Sequence, residues 1–471
     1  MCNRALLTLS FVFAFAISFA QTTSISSYSR FGIGEIHKIG TTPIYGLGGL
    51  SAPVSDGFFI NPENPASYSH LYQTTFQIGL RAQQLELDNG SRKQTLNFSN
   101  LNHVFINMKR SGSPWGLVLG LTPYSSTGYD VIVDREAELE GNTADITDSY
   151  SGQGGINKGF IGLSRKFEFS EYQTFTDALG AVTDSVRFAQ HTISLGVNGA
   201  YFFGNIEEAR RIDFEDPNFL DTRITVDTKM HSFGADFGLQ YATILSQKFT
   251  SDKKIKDRWM IKAGLTYSPK MEWSTTYREL NETIQQFSLV DIPVDTALFI
   301  SGGGFTTIPD KLSAGLALHH IGLKGKEWSI GADIKIQDWT SASRTIEGEE
   351  VNLGLNSSTQ LSVGIQFTPT TSVGDEDKNI FDRGNYFLGF RDETSYLTLR
   401  DVEIKDQAFT FGANFPILAS RSLTKINFGM EIGQRGTNES LLLKESYMNF
   451  YIGVSLSPFQ KNIWFRERKY D

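Results

Sequence analysis

Apolar and polar side chains alternate with a period of two through most of the chain after about Thr74. Successive side chains of a β-strand point to opposite faces, whereas an amphipathic helix repeats its apolar positions every three or four residues. The alternation therefore predicts strands with one apolar and one polar face. The clearest examples are Trp328, Ile330, Ala332, Ile334 and Ile336 against Ser329, Gly331, Asp333, Lys335 and Gln337, and Met448, Phe450, Ile452, Val454 and Leu456 against Tyr447, Asn449, Tyr451, Gly453 and Ser455.

Fourteen segments show this pattern, and many have the roughly ten residues that a tilted strand needs to cross a bilayer. Strands of soluble sandwiches are shorter, about five or six residues. An even number of antiparallel strands lets a barrel close with both chain ends on one side of the membrane. We therefore predict an all-β fold, a transmembrane antiparallel β-barrel. The predicted segments are 74–86, 94–108, 114–134, 155–167, 187–204, 222–244, 258–279, 311–320, 328–345, 359–370, 385–399, 404–418, 423–435 and 446–457.

The composition limits the other classes of fold. Only 40% of the residues are apolar and 20% are charged, while 13% are aromatic. After the first twenty residues, no stretch has the roughly 18 consecutive apolar residues of a transmembrane helix. A membrane form must then be a closed barrel, because only helices and barrels satisfy every backbone polar group in lipid. A secreted two-sheet protein is the alternative. The net charge of −9 argues against nucleic acid as a partner.

The first twenty residues have the pattern of a cleaved signal peptide. Arg4 precedes an apolar run over residues 5–19, and Ser18 and Ala20 place small side chains at the cleavage positions before Gln21. Cleavage would also remove Cys2, the only cysteine, and leave a mature chain without thiols or disulfides. We therefore expect an exported protein.

The strand count also predicts the orientation of the connections. Residues 127–154, 205–221, 280–310 and 347–357 are expected to be exterior connections, and 168–186 and 371–384 to be periplasmic ones. Aromatic residues near segment ends fit the interfacial girdles of a membrane barrel. These are Trp115, Tyr201, Phe202, Phe203, Trp259, Trp273 and Trp328.

A glycine-rich turn and an Asn-Pro motif precede the first predicted strand. The turn contains Gly46, Gly48 and Gly49; the later residues are Asp56, Asn61, Pro62, Asn64, Pro65 and Ala66. This stretch resembles the N-terminal plug, or hatch, of FadL-type outer-membrane transporters of long-chain fatty acids. Residues 308–316 and the segment that ends at Trp339 are also similar to that family. The C-terminal residues 464–469 resemble barrel proteins of bacteria with type IX secretion.

The resemblance implies a fourteen-strand barrel of the Gram-negative outer membrane with a plug in its lumen. The predicted order is signal peptide 1–20, plug 21–72, barrel 73–458 and basic periplasmic tail 459–471. The resemblance also implies passive uptake of hydrophobic or amphipathic solutes. The sequence departs from the family in the Ser-, Thr- and Gly-rich start of the plug and in the polar character of its lumen positions.

The sequence contains no pattern that predicts an enzyme, a cofactor or a metal centre. His319 and His320 are adjacent on a predicted strand, so they should point to opposite faces and cannot chelate one metal together. Acidic residues crowd the region 130–148. Their spacing matches no EF-hand, so a solvated acidic loop is the favoured interpretation and calcium binding the alternative. The acidic residues are Asp130, Asp134, Glu136, Glu138, Glu140, Asp145 and Asp148.

Two functions fit these predictions. The first, slightly favoured, is passive transport of a hydrophobic small molecule through a plugged barrel. The second is a non-enzymatic structural or docking subunit of an outer-membrane complex, such as type IX secretion or the barrel assembly machinery. The expected partners are outer-membrane lipid together with the solute or the protein complex.

Overall fold

Fourteen antiparallel strands close into a barrel in the computed structural model. The structure describes residues 26–457 except 111, 140–141, 177–181, 216–218, 251–254, 288–289, 370–378 and 420–421. The strands are β1 (Thr75–Asp88), β2 (Lys93–Met108), β3 (Trp115–Leu139), β4 (Asn142–Thr176), β5 (Val182–Phe214), β6 (Asp221–Phe249), β7 (Ile255–Ser268 and Met271–Phe287), β8 (Val290–Ile308 and Lys311–Ile321), β9 (Glu327–Asp338 and Ser343–Ile346), β10 (Glu349–Asn352 and Ser357–Thr368), β11 (Asn385–Leu399), β12 (Val402–Ala419), β13 (Ser422–Arg435) and β14 (Lys444–Leu456).

Each strand pairs with its neighbours in the sequence, and β14 pairs with β1 from Lys444–Asp88 to Leu456–Phe76 to close the barrel. We call the end at which β1 begins and β14 ends the lower end, and the opposite end the upper end. The predicted fold class and strand number are confirmed. Both follow from the period-two pattern, because each predicted segment falls on one barrel strand.

Two neighbouring strands are interrupted at prolines. Ile308 pairs with Met271 and Lys311 pairs with Ser268, so β7 and β8 keep the same register across Pro269 and Pro309. Proline has no N–H for the ladder, and its fixed φ disfavours a continuous strand. β7 and β8 are therefore each counted as one strand in two pieces.

The alternating faces are arranged as predicted. Ile330, Ile334 and Ile336 are exposed on the outer surface, whereas Gly331 and Asp333 are buried inside the barrel. The outer surface carries many exposed large apolar side chains, and the inner surface carries buried polar ones. An apolar exterior over a polar interior is the pattern of a barrel that faces lipid.

The predicted lengths of the connections are wrong. β3 to β8 extend well beyond the other strands at the upper end, so most of residues 127–154, 205–221 and 280–310 is strand. The upper piece of β8 was missed entirely. The connection 347–357 contains the short strand piece Glu349–Asn352, and most of the predicted lower connection 168–186 also belongs to β4 and β5. Apolar alternation fails in these extensions, through charged residues in β3 and β4 and through two register shifts in the upper piece of β8.

The aromatic girdle is only partly as predicted. Trp259 and Trp328 lie near each other at the lower end, with ring centroids 5.3 Å apart, and Trp115 is exposed at the lower end of β3. Trp273 and Phe202, in contrast, are buried inside the barrel and stack with centroids 5.1 Å apart.

Helices are few and short. They are the α-helix α1 (Thr42–Gly46) and the 3₁₀ helices Ser27–Arg30, Pro65–His70, Leu323–Gly325, Trp339–Ser341, Ile380–Arg383 and Glu439–Leu441. In the described part of the chain, no helix is long and apolar enough to cross a membrane.

Candidate functional site: the filled lumen

The N-terminal segment, residues 26–72, runs inside the barrel and touches strands around its circumference. It contains α1, two 3₁₀ helices and a two-residue strand, Glu35–Ile36, which pairs with Ser126 and Ser125 of β3. Almost all of its residues between 39 and 53 are buried. The predicted signal peptide (1–20) and basic tail (459–471) lie outside the described residues.

The glycine turn predicted from the sequence ends α1 against the wall. Gly48 and Gly49 have φ angles of 71° and 84°, a backbone conformation that glycine adopts without strain. A Cβ added at Gly48 would lie 2.8 Å from the carbonyl oxygen of Phe390 on β11. The carbonyl of Gly46 accepts a hydrogen bond of 2.9 Å from the Thr410 hydroxyl on β12. The turn is thus fixed both by its own conformation and by the wall.

The Asn-Pro motif folds back on the turn that precedes it. The side-chain amide of Asn61 donates to the carbonyls of Ser51 (2.7 Å) and Val54 (2.9 Å), and that of Asn64 donates to Ala52 (2.7 Å). These bonds satisfy buried carbonyls of the turn, and Gln240 of β6 donates to two of the same carbonyls, those of Ala52 (3.0 Å) and Val54 (3.1 Å).

The remaining motif residues shape the return of the segment to β1. Asn64 caps the 3₁₀ helix by accepting from the N–H of Ala66 (3.1 Å), and Pro65 occupies its first position. The carbonyl of Pro62 accepts from Asn198 (3.4 Å) on β5, and Asp56 accepts from the N–H of Phe58 (2.7 Å). The nine residues singled out in the sequence therefore all lie in this segment.

Glycines of the wall lie where the segment presses against it. A Cβ at Gly264 of β7 would be 1.8 Å from the carbonyl oxygen of Ala52, and one at Gly196 of β5 would be 2.3 Å from Pro65. Only residues without a side chain allow such close backbone approach. Further glycines in contact with residues 42–69 are Gly116, Gly162, Gly238, Gly315, Gly364, Gly389, Gly412, Gly429 and Gly453.

A cluster of buried charges on β11 to β14, the wall cluster, faces the segment. Arg391 is about 1% exposed and donates to Glu431, to Asp406 (3.2 Å) and to the hydroxyl of Tyr447 (2.7 Å). Glu431 also accepts from Tyr451 (2.7 Å). Buried charges are tolerated when they are paired and hydrogen-bonded, and Arg391 and Glu431 are both.

The segment adds its own charges to the wall cluster. Lys38 lies 3.7 Å from Asp406 and 3.8 Å from Glu393, and Glu35 lies 2.7 Å from Arg435. Burial alone would raise the pKa of Glu35, but Arg435 and Arg81 hold it well below the ordinary range. Glu35 is therefore ionised and paired.

His37 is the neutral member of this contact. It lies 3.3 Å from the Arg81 guanidinium and 2.7 Å from the Ser126 hydroxyl. Burial, reinforced by Arg81, lowers the pKa of His37 to about 4.

A second charged contact lies near the Asn-Pro motif. Glu63 is 3.0 Å from Lys335 and 3.4 Å from Lys311, both on the inner face of the wall. Burial raises the pKa of Glu63, but these two lysines outweigh it and hold the pKa at about 2. None of these ionic partners was predicted from the sequence. The sequence signal that could have found these partners is a charged residue on the polar face of a predicted strand.

The seam between β2 and β3 is open above the middle of the barrel. The two strands pair only between Val104–Met108 and Leu117–Leu121. Above this point the edge of β3 pairs with Glu35–Ile36 of the segment, and His37 bonds to the same strand. The segment therefore occupies part of the wall as well as the lumen.

Two cavities beside the N-terminal segment are small and are lined by charged groups among others. One of about 120 Å³ is lined by Glu35, Lys38, Glu63 and Lys311 among others, and one of about 280 Å³ opens at the lower end beside Lys262 and His319. An apolar ligand needs a mostly apolar pocket. Neither cavity offers one.

No group of three or more metal-ligating side chains occurs among the described residues. His319 lines the lower cavity, whereas His320 lies on the outer face beside Trp259 and Trp328, so the two histidines point apart as predicted. The acidic region 130–148 is not a loop, because most of it belongs to β3 and β4; Asp148 is paired with Arg135 and Arg210 (3.1 Å). Calcium binding there stays an untested alternative.

The barrel fold is similar to that of a solved toluene transporter. The toluene transporter TbuX of Ralstonia pickettii is similar over 90% of this chain and 99% of that one, with a TM-score of 0.52 and 11% sequence identity. The Pseudomonas putida toluene transporter TodX aligns over 90% and 99% with a TM-score of 0.48 and 15% identity. A Pseudomonas aeruginosa FadL homologue aligns over 91% and 100% with a TM-score of 0.48 and 11% identity. At such identities the likeness to TbuX shows the fold alone.

The family model named BamG matches residues 1–170 and 184–471. The chain therefore belongs to the BamG family. No curated protein matches the chain.

Proposed function

We propose that the chain is an outer-membrane barrel that its own N-terminal segment closes as a plug, and that it serves as a non-enzymatic structural or docking subunit of an outer-membrane complex. The apolar outer face and the polar inner face support the location. Export through a signal peptide cleaved before Gln21 belongs to the same proposal.

The observation that carries the docking role is the filled lumen. Wall glycines, the Asn-Pro motif and the wall cluster hold the segment at several levels, and the two cavities beside it are small and lined by charged groups among others. A solute path along the whole length of the lumen would require many of these contacts to break. The match to the family named BamG supports the assembly-machinery form of this proposal over the type IX secretion form.

Purification from native membranes in a mild detergent tests the docking role. We expect the barrel to be recovered in a complex with a fixed stoichiometry that sediments well above the 52.5 kDa chain. A monodisperse lone barrel that contains bound lipid would contradict the proposal.

Passive uptake of hydrophobic or amphipathic solutes is the second candidate. The open β2–β3 seam favours it, because release of Glu35–Ile36 from β3 would join the lumen to the lipid phase sideways. The fold shared with TbuX supports it as well.

Deletion of residues 21–69 tests the uptake role. If the barrel is a gated path, the deletion raises the entry rate of a monoaromatic or long-chain hydrophobic probe into cells. Unchanged entry in a variant that still inserts in the outer membrane would exclude it.

A further inference from the structure

The upper piece of β8 has one free edge. It pairs with β7 along its whole length, from Val290–Phe287 to Ile308–Met271. On its other side only Gly304, Phe305 and Thr306 pair, with Ile346, Thr345 and Arg344 of β9, and the N–H of Glu347 donates to the carbonyl of Gly303 (3.2 Å). Within the described part of the chain, no strand pairs with the second side of residues 291–302. We call these twelve residues the free edge.

The free edge is apolar and exposed. Ile292, Val294, Leu298 and Phe299 are 50%, 53%, 43% and 54% exposed. Two register shifts, at Pro293/Asp295 and Thr296/Leu298, change which face the apolar side chains occupy. Both faces of the free edge therefore present apolar surface.

The upper ends of the neighbouring strands carry ion pairs instead. Arg211 of β5 pairs with Asp291 (2.8 Å), and Arg223 of β6 pairs with Glu282 (2.9 Å) of β7. The ion pairs stop at Asp291, where the apolar run begins.

The other free edge of this upper wall is blunted. β3 above its contact with the N-terminal segment carries Asp130, Asp134, Arg135 and Glu136 within seven residues, although the exposed Ile132 and Val133 lie between them. Charged side chains are the usual protection of an exposed edge against unwanted pairing. The free edge of β8 has fewer charges, Asp291 and Asp295 in twelve residues, and its other protective features are Pro293 and the two register shifts.

We propose that the free edge is a strand-addition site for an extended segment of a partner polypeptide, which continues the sheet from the point where β9 leaves it. This inference rests on the proposed docking function and names its surface. The unpaired N–H and C=O groups of an edge are matched by an extended backbone, and the alternate apolar side chains give the partner specificity. Arg344–Ile346 of the neighbouring strand β9 pair with Gly304–Thr306 directly below the free edge, so an added strand would continue the same side of the sheet.

Hydrogen exchange followed by mass spectrometry tests the backbone pairing. We expect amides within 291–302 to exchange at least tenfold more slowly in the native complex than in the barrel stripped of partners by strong detergent. Equal exchange in the two states overturns the proposal.

A photo-crosslinking residue at Val294 tests the occupant. We expect an adduct with one polypeptide that also belongs to the purified complex, and we expect Leu298→Lys to abolish it. Thr276→Lys is the matched control, because Thr276 is exposed on β7 but pairs on both sides, with Lys229 and Gly303. It should leave the adduct intact. Adducts with lipopolysaccharide alone, or with a second copy of this chain, overturn the proposal.

The outcomes separate the two claims. A complex that stays intact in Leu298→Lys, with unprotected amides at 291–302, refutes the free edge as the docking site but leaves the docking function in place. The absence of any complex in the unchanged protein refutes the docking function itself.

Discussion

The guanidinium of Arg435 on β13 lies 2.7 Å from the carboxylate of Glu35 on the N-terminal segment. The two residues are 400 positions apart in the chain. Their pair joins the segment to the wall cluster, because Arg435 also lies 3.9 Å from Asp406 and 3.7 Å from Glu445. The strand Glu35–Ile36, which pairs with β3, is therefore also held by β13.

Arg391→Met should destabilise the barrel strongly. Glu431 and Asp406 would remain buried without their main cation, a change that costs about 3–5 kcal/mol. Urea unfolding in detergent, followed by tryptophan fluorescence, measures the loss. Lys229→Met, at an exposed lysine, is the control and should change the free energy of unfolding by less than about 0.5 kcal/mol. Equal effects of the two substitutions would disprove the role of the wall cluster.

Gly264→Ala should push the N-terminal segment away from the wall. The added methyl group would lie 1.8 Å from the carbonyl oxygen of Ala52, so the backbone must shift. Limited proteolysis should then cut within residues 48–66 faster than in the unchanged protein. Gly159→Ala is the control, since the nearest atom to its added methyl group is 4.0 Å away. The same cleavage rate in both variants would show that the close approach is unimportant.

Acidification should weaken the attachment of the segment at His37. The pKa of His37 is about 4 in the folded protein, below its ordinary value of 6.5, because burial and Arg81 disfavour the charged ring. Between these values the unfolded chain binds a proton that the folded chain does not. The stabilisation is therefore complete above pH 6.5 and decreases as the pH falls toward 4.

The matched variant for this prediction is His37→Gln, which can still bond to Ser126 but does not titrate. The pKa of His70 is lowered to about 3, so His70 contributes in an overlapping range. The measurement is thus the difference in free energy of unfolding between the two proteins as a function of pH. A difference that stays constant from pH 7 to 4 would refute the prediction.

Glu63→Gln should remove a stabilisation that is lost at a lower pH than the one from His37. The pKa of Glu63 is about 2 in the folded protein and 4.5 ordinarily. Its contribution is present above pH 4.5 and is lost as the pH falls toward 2. The variant leaves Lys311 and Lys335 without their carboxylate, at a cost on the order of 3 kcal/mol at neutral pH. The difference in unfolding temperature between Glu63→Gln and the unchanged protein should be larger at pH 7 than at pH 3. Glu171→Gln, at an exposed glutamate, should have the same unfolding temperature as the unchanged protein at both pH values.

Alternation by itself predicted the fold class, the strand number and the outward or inward direction of most side chains. It succeeds because the pleat is a local property of the backbone, and lipid and lumen impose opposite polarity on its two faces. Ile330 and Asp333 could be assigned to opposite faces without any knowledge of their neighbours. The nine plug-motif residues were found through a resemblance rather than through alternation, and the structure places them together in the segment inside the barrel.

The tertiary structure decided which charges meet, which strands continue above the apolar band and which strand edge stays free. Arg435 and Glu35, or Glu63 and Lys335, are far apart in the chain, and nothing local selects one partner among many inward-facing charges. The glycines of the wall looked like ordinary strand positions, and only the path of the segment across them explains why a side chain is excluded there. Strand pattern is set by neighbours in sequence, whereas the filling of the lumen is set by residues that only barrel closure brings together.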